Sequence, residues 1–295
     1  MRTCVIFNPA ARGDKARAFQ SHLRAIANEA TLKPTTCVGD ARRLAAEAVG
    51  ECFSTVVAAG GDGTLNEVLN GIADVNGFER ARLGVLPLGT VNVFAKELKL
   101  PQDFAGAWEV IRRGTEMRID APWANYIFEG QAQRRYFAQL AGAGLDSRAV
   151  ELVNWELKKR FGFLSYVVAG FQALGEELPQ IEVSNGRDTA CGQLVLVGNG
   201  KFYGGRFTVF PLADLCDGVL EAVIFPRVNW ETVARGCWGM LTDDFHTGRH
   251  TIQLQGTQLE LKSTKPISLQ LDGENAAPLP ATLGVASRVL RVIVP

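Results

Sequence analysis

The chain has 295 residues, enough for one large domain or two moderate ones, and 47% of them are hydrophobic, so it can bury a substantial core. Lys plus Arg and Asp plus Glu each number 31, and this zero net charge argues against a general nucleic-acid-binding protein, which is usually basic. The six cysteines form no C-x-x-C pair, which argues against a zinc site or redox dithiol and favours a reduced, cytoplasmic protein.

The first third of the chain alternates strand-like and helix-like segments. Strands are predicted over Cys4–Phe7, Thr35–Val38, Thr55–Ala59 and Leu83–Leu86, and helices over Lys15–Ala30, Ala41–Gly50 and Leu65–Ala73. This alternation predicts a mostly parallel, Rossmann-like sheet covered by helices. Ligands of such sheets bind at the carboxyl ends of the strands.

The pattern changes near Asp120, where short alternating segments begin to dominate. Strands are predicted over Arg135–Ala141, Gln180–Val183, Leu194–Val197, Leu220–Phe225, Thr251–Leu254, Gln258–Lys262, Ile267–Leu271 and Arg288–Val294, with helical stretches over Ser147–Leu174 and Asn229–Leu241. We therefore predict a nucleotide-binding α/β domain over residues 1–122 and a β-rich, antiparallel, sandwich-like domain over residues 123–284. A strand within residues 285–295 could return to the first domain, and we expect the active site in the cleft between the two domains.

The strongest chemical signal is the loop from Gly60 to Thr64, which follows a strand and runs into a helix. Its glycines let backbone N–H groups approach a ligand closely, and the helix directs its positive end toward the same place. The pattern predicts an anion site suited to nucleotide phosphates, with Asp62 as a hard oxygen ligand for Mg²⁺. A plain glycine turn with Asp62 as a capping residue is the alternative.

The sequence from Gly60 to Val68, GGDGTLNEV, resembles the signature of the diacylglycerol kinase catalytic-domain family, which includes sphingosine, ceramide and bacterial lipid kinases. Further motifs in the family's order are Phe7-Asn8-Pro9, Leu86 to Ala95, Ala143 to Asp146, Tyr203-Gly204-Gly205, Pro211, Asp217-Gly218 and Leu271 to Glu274. The resemblance implies transfer of the γ-phosphoryl group of ATP, with Mg²⁺, to a lipid hydroxyl such as that of a diacylglycerol or sphingoid base.

The resemblance also assigns roles around the nucleotide. It implies that the phosphates are surrounded by Asn8, Gly60, Gly61, Gly63, Thr64, Gly89 and Thr90. Asp62 would bind the metal, and Glu67 would contact the ribose or the metal network, unless Glu67 is an ordinary first-turn glutamate. Many members have Asn-Asp where this chain has Asn92-Val93, so Asn92 is left as a polar contact.

In the second domain the resemblance implies that Asp272 is the general base for the lipid hydroxyl, with Glu274 in support; an ordinary D-G hairpin turn is the alternative. It also implies a second cation site, for Mg²⁺ or Ca²⁺, with the Asp217 side chain and the carbonyls of Asp214 and Val219 as ligands. Asp120 would join a water-bridged acidic network with Asp62 and Asp217.

The partners that we expect are a lipid substrate and, transiently, a membrane surface, with no nucleic acid; a homodimer stays open. Two other functions also stay open. One is a kinase of a soluble metabolite such as NAD, whose family shares a G-G-D-G-T loop. The other is a non-catalytic nucleotide or lipid sensor, which the valine at position 93 keeps in consideration.

Overall fold

The structure is a computed structural model that describes residues 2–9, 19, 22, 26–152, 177–205, 207–235 and 251–295. It divides into two compact units. The first comprises Met1–Ala121 and Ser287–Pro295, and the second comprises Pro122–Ala286. No helix in these described ranges is long and apolar enough to cross a bilayer.

The first unit is an α/β domain with a parallel sheet, as predicted. Its strands are β1 (Thr3–Phe7), β2 (Thr31–Pro34), β3 (Thr55–Gly60) and β4 (Arg82–Pro87), in the order β2-β1-β3-β4. The end of β18 (Ala281–Ile293) pairs in parallel with β4, with Val292 opposite Leu83. The helices are α1 (Asp40–Gly50), α2 (Asp62–Asp74), α3 (Val93–Glu97) and α4 (Phe104–Arg113).

One predicted strand of this unit, Thr35–Val38, is wrong, because β2 lies just before it. Residues 35–38 instead lead into α1, and the Thr36 and Cys37 N–H groups donate to the carboxylate of Asp40. The short helix α3 and the helix α4 were not predicted. Most of the helix predicted over Lys15–Ala30 lies outside the described residues.

The second unit is built from antiparallel strands, also as predicted. One sheet of this unit has the order β14-β13-β10-β7-β16-β17. In a second group, β15 pairs with β8 and with the start of β18, and β8 also pairs with β9. The bounds are β7 (Leu140–Gly144), β8 (Ile181–Ser184), β9 (Thr189–Gly192), β10 (Leu194–Gly198), β13 (Leu220–Phe225), β14 (Ile252–Gly256), β15 (Gln258–Ser263), β16 (Ser268–Leu271) and β17 (Glu274–Pro278). Their inward side chains form a buried aliphatic core.

The remaining elements of this unit are smaller. β5 (Glu116–Phe128), whose first residues belong to the first unit, pairs with β6 (Gln131–Tyr136), and β11 (Phe202–Tyr203) pairs with β12 (Phe207–Thr208). Helix α5 spans Leu145–Leu152, and the rest of the helix predicted to Leu174 lies outside the described residues. The helix predicted over Asn229–Leu241 is described only as far as residue 235.

Candidate active site

The predicted phosphate loop lies at the carboxyl edge of the parallel sheet. The register sets Phe7 opposite Ala59 and Gly60 opposite Pro87, so β1, β3 and β4 end at nearly the same level. Asn8 follows β1 directly and is exposed. The loops after β3 and β4 are joined by backbone bonds, since Leu88 and Gly89 both donate to the Gly60 carbonyl, at 3.0 and 3.2 Å.

Two glycines make this junction possible. A Cβ built on Gly89 would lie 2.5 Å from the Gly61 Cα, and a Cβ on Gly60 would lie 2.4 Å from the Thr64 Oγ1. Atoms cannot approach so closely, so only glycine fits at positions 60 and 89 with this backbone. The edge therefore presents main-chain groups where side chains would otherwise stand.

Helix α2 begins at Asp62, immediately after this junction. The first N–H groups of a helix have no partner within it, and together with the helix dipole they favour an anion. The Thr64 side chain is half-buried beside Gly60, while Thr90 is exposed on the neighbouring loop. The seven predicted phosphate-contacting residues thus lie at or within a few residues of the ends of β1, β3 and β4: Asn8, Gly60, Gly61, Gly63, Thr64, Gly89 and Thr90.

Asp62 lies at the start of α2, but its carboxylate contacts the start of α3. The N–H groups of Val93 and Phe94 donate to its two oxygens, at 3.2 and 3.4 Å. Asp62 therefore binds the first turn of a neighbouring helix, where a negative charge is favourable. The predicted contact of Asp62 with a metal stays a prediction.

Glu67 makes the corresponding contact on the other neighbour of α2. Its carboxylate oxygens accept the N–H groups of Gly39 and Ala41, both at 3.0 Å, at the start of α1. The side chain thus caps a helix 26 to 28 residues earlier in the chain. Its predicted contact with ribose or metal stays a prediction, and the observed bonds give the side chain a structural role.

Asn92 shapes the loop after β4. It has a left-handed backbone conformation with φ of 52°, and its side-chain amide donates to the carbonyls of Gly89 and Pro87, at 2.8 and 3.2 Å. The residue is only 3% exposed. These bonds hold the loop that carries Gly89, so the amide N–H groups serve the protein rather than a ligand.

In the second unit Asp272 occupies the two-residue turn between β16 and β17. Both turn residues have positive φ, 49° at Asp272 and 86° at Gly273, as a D-G hairpin requires. The Asp272 N–H donates to the Leu140 carbonyl at 2.9 Å. The hairpin anticipated as the plainer alternative is therefore present, and the carboxylate stands on it half-buried.

The Asp272 carboxylate is held by three consecutive backbone N–H groups. Ala138 donates to one oxygen at 2.7 Å, and Gln139 and Leu140 donate to the other at 2.9 and 3.1 Å. Three such donors stabilise the ionised form of a carboxylate. Glu274, predicted to support the site, forms an ion pair with Arg135 at 2.7 Å.

A buried group of polar side chains lies behind this hairpin, and sequence reasoning had assigned it no role. The Tyr203 hydroxyl donates to one oxygen of Asp146 at 2.5 Å, and the Gln270 amide donates to the other at 2.7 Å. Gln270 in turn accepts the Gly273 N–H at 2.6 Å. Burial raises the pKa of the Asp146 carboxyl, and the bonds from Tyr203 and Gln270 partly oppose that effect.

The predicted second cation site lies in the loop before β13. Asp217 is exposed, and one of its oxygens accepts the Val219 N–H at 2.9 Å, while its own N–H approaches the Asp214 carbonyl at 3.5 Å. Glu221 follows and is 1% exposed; burial raises the pKa of its carboxyl. Within the described residues, no cluster of three or more His, Cys, Asp or Glu side chains could hold a metal ion.

Asp120, expected in an acidic network, has a structural contact in the first unit. It is 1% exposed, and one oxygen accepts the Arg288 N–H from β18 at 2.7 Å. The carboxylate therefore helps to attach the C-terminal strand.

Comparisons with known proteins match both units. Residues 2–123 match the family model of the diacylglycerol kinase catalytic domain, and residues 139–294 match a model described as the YegS C-terminal NAD kinase beta sandwich-like domain. The chain is 30% identical to a diacylglycerol kinase of Bacillus subtilis (strain 168), over 100% of this chain and 96% of that protein. It is 31% identical to a diacylglycerol kinase of Staphylococcus aureus (strain bovine RF122 / ET3-1), over 90% of this chain and 82% of that one.

Solved structures agree on the fold. A candidate diacylglycerol kinase from Bacillus anthracis str. Sterne superposes with a TM-score of 0.82 at 22% identity, covering 100% of this chain and 95% of that one. A diacylglycerol kinase from the same strain gives a TM-score of 0.71 at 19% identity, covering 100% and 97%. At these identities the likeness concerns the fold alone.

Proposed function

This chain belongs to the diacylglycerol kinase catalytic-domain family, and on that premise we propose that it transfers the γ-phosphoryl group of ATP to a hydroxyl group of a lipid. The observation that carries the proposal is the junction of Gly60 and Gly61 with Gly89 at the start of α2, where main-chain groups stand at the carboxyl edge of the sheet. Such an edge suits the phosphates of a nucleotide.

Phosphoryl transfer asks a protein mainly for positioning and for stabilisation of negative charge. The N–H groups at the start of α2, and the hydroxyls of Thr64 and Thr90, are donors suited to phosphate oxygens. Asp62 and Asn92 hold α3 and the loop after β4, and so fix the backbone on which Gly89 and Thr90 lie. The nucleotide belongs to the first unit in this proposal.

The donor set also fits Mg²⁺. Asp62 lies beside the loop, and the exposed Asp217 lies in one loop with the Asp214 and Val219 carbonyls. All of these ligands are oxygens, as Mg²⁺ prefers. When bound, the ion would neutralise charge on the phosphates.

For the acceptor we assign the second unit, with Asp272 as the group that orients the lipid hydroxyl and takes its proton. The transition state of phosphoryl transfer is loose, so the acceptor needs accurate placement more than strong deprotonation. A carboxylate fixed by three N–H groups on a tight hairpin provides that placement. We further propose that the protein works in the cytoplasm, where ATP is available, and contacts the membrane peripherally and transiently to reach a lipid acceptor.

The test is a phosphorylation assay with radiolabelled ATP and Mg²⁺ over diacylglycerol, sphingosine, ceramide and phosphatidylglycerol in mixed micelles. We expect one lipid class to be labelled, and Asp272→Asn to lower kcat at least about a hundredfold while ATP affinity is retained. Asp188→Asn, in an exposed turn before β9, is the matched control and should leave kcat unchanged. Wild-type kcat in Asp272→Asn would remove Asp272 from the mechanism.

NAD belongs in the same assay as a second acceptor, because the model matched by residues 139–294 is described as NAD kinase beta sandwich-like. Phosphorylation of NAD with no lipid labelled would replace the lipid proposal. Nucleotide binding with no acceptor labelled at all would favour the sensor instead.

A further inference from the structure

The polar chain behind the Asp272 hairpin runs through four residues. It leads from the Tyr203 hydroxyl to Asp146, from Asp146 to the Gln270 amide, and from the Gln270 carbonyl oxygen to the Gly273 N–H. Asp146 is 7% exposed and Gln270 is 1% exposed, so water has little access to their hydrogen bonds. Buried hydrogen bonds of this kind are costly to lose, because the released group finds no other partner.

The backbone is shaped to admit this chain. Gln270 lies directly opposite Gly142 in the pairing of β16 with β7, and a Cβ on Gly142 would be 1.8 Å from the Asp146 carboxylate and 2.8 Å from the Gln270 amide. The absence of that one atom is what lets the two side chains meet. The register of β16 against β17 also shifts between Leu269 and Gln270.

This series of hydrogen bonds ends at Gly273, the residue after Asp272. Gln270 fixes the Gly273 N–H, while the other side of the turn is fixed by Ala138, Gln139 and Leu140 through the Asp272 carboxylate. We propose that Asp146 and Gln270 are positioning residues for the acceptor step, which hold the Asp272 carboxylate at the angle needed by the lipid hydroxyl. This inference rests on the proposed function, because it assigns Asp272 to that hydroxyl.

The chemistry of the chain gives a rescue test. In Gln270→Glu the new carboxylate still accepts the Gly273 N–H, but its second oxygen faces the Asp146 carboxylate in place of an amide donor. Adding Asp146→Asn restores a donor at that contact. The double variant therefore keeps the same hydrogen bonds, and the negative charge moves from position 146 to position 270. Asp146→Asn alone is tolerated, since its amide can turn and donate to the Tyr203 hydroxyl oxygen.

We expect Gln270→Glu to lower kcat for the lipid roughly tenfold to a hundredfold, as small misplacements of a reacting group do, with the Kd for ATP unchanged. The kcat of the double variant and the kcat of Asp146→Asn alone should both lie within about threefold of the wild-type value. Ser147→Ala is the control. The Ser147 hydroxyl is buried in α5, the helix that also carries Asp146, but it donates to the Gly144 carbonyl and takes no part in the hydrogen bonds from Tyr203 to Gly273. Its kcat should match the wild type.

Wild-type kcat in Gln270→Glu, or a double variant as impaired as Gln270→Glu, would overturn the proposal. If Gln270→Glu does not fold, Tyr203→Phe removes the first hydrogen bond of the series and should lower kcat several-fold, and an unchanged kcat in that variant would equally overturn the proposal. Hydrogen exchange of residues 271–277 separates this inference from the proposed function. Faster exchange of these residues in Gln270→Glu supports the positioning role of Asp146 and Gln270 even if no lipid is phosphorylated. Unchanged exchange contradicts that role even if a lipid is phosphorylated.

Discussion

At the scale of single residues, two acidic side chains of α2 contact the starts of the two helices beside it. Asp62 accepts N–H groups of α3, and Glu67 accepts N–H groups of α1. A helix start carries both free N–H donors and a partial positive charge, so a carboxylate satisfies two needs at once. The helix that follows the predicted phosphate loop thereby fixes its neighbours on both sides.

We predict that Glu67→Ala destabilises the protein by about 1–2 kcal/mol, the usual cost of losing a helix cap, without changing the Kd for ATP. Urea unfolding measures the first effect and calorimetric titration the second. Glu47→Ala is the matched control, because Glu47 is an exposed residue of α1 paired with Arg43 and should cost at most about 0.5 kcal/mol. A weakened ATP affinity with unchanged stability would return Glu67 to the nucleotide site.

Asp40 should make stability depend on pH. Hydrogen bonds from the Thr36 hydroxyl and N–H, then from Arg43, hold the pKa of its carboxyl well below the usual range. A depressed pKa in the folded state means stability that is present above the unfolded pKa of about 3.9 and is lost as the pH falls below it. The gap in unfolding free energy between wild type and Asp40→Asn should therefore be full at pH 7 and narrow steadily below pH of about 4. A gap that stayed constant from pH 7 to pH 3 would contradict this assignment.

The positions of three glycines of the predicted phosphate site could be read from the sequence, because they depend on local features. Gly60 ends β3, Gly61 follows it and Gly89 lies two residues after β4, and a parallel sheet brings such positions to one edge. The contacts of Asp62 and Glu67 could not be read, since their partners lie 26 to 32 residues away in the chain. A carboxylate beside a glycine loop looks the same in sequence whether it binds a metal or a helix.

At the scale of elements, the strand predicted over Arg135–Ala141 shows where periodicity fails. It is two strands, β6 ending at Tyr136 and β7 beginning at Leu140. Residues 138–140 lie within and just after the interruption, and their N–H groups donate to the carboxylate of Asp272. Asp272 lies more than 130 residues later in the sequence. Alternation predicted strand structure in this segment but could not reveal a partner that diverts its hydrogen bonds.

The packing of α1 on α2 gives a prediction at the same scale. A Cβ on Gly71 of α2 would lie 2.0 Å from the Arg42 carbonyl oxygen of α1. Alanine is favoured over glycine in a helix by about 1 kcal/mol, but overpacking costs typically 1–3 kcal/mol. Because the obstacle is backbone, we expect the overpacking to dominate, so that Gly71→Ala lowers the unfolding free energy.

The matched control is Gly50→Ala at the end of α1, where a Cβ meets nothing within 4 Å. It should be neutral or stabilising by up to about 0.5–1 kcal/mol. Urea unfolding of both variants decides the matter. Equal stabilisation by the two substitutions would mean that α1 and α2 do not pack as closely as the structure has them.

At the scale of the whole molecule, the first unit is discontinuous in sequence, because it is built from both ends of the polypeptide. The first unit needs Ser287–Pro295 as well as Met1–Ala121, so it is complete only when the last strand has been added. The change from helix-strand alternation to short strands predicted the two architectures, because each has its own hydrophobic period. The length of β18, from Ala281 to Ile293, exceeds the predicted Arg288–Val294, since its first half serves the second unit by pairing with β15.

This discontinuity leads to a prediction about where damage to β18 is felt. Leu290 is buried, and Leu290→Ala should cost about 2–5 kcal/mol, as loss of a core leucine usually does. Since the end of β18 pairs with β4, we expect faster hydrogen exchange in β1, β3 and β4, with the strands of the second unit, such as β8 and β10, unchanged. Val289→Ala, at a half-buried neighbour, is the control and should change exchange much less. Equal acceleration in both units would show that they open as one cooperative body, and the last strand would then stabilise the whole chain rather than the first unit alone.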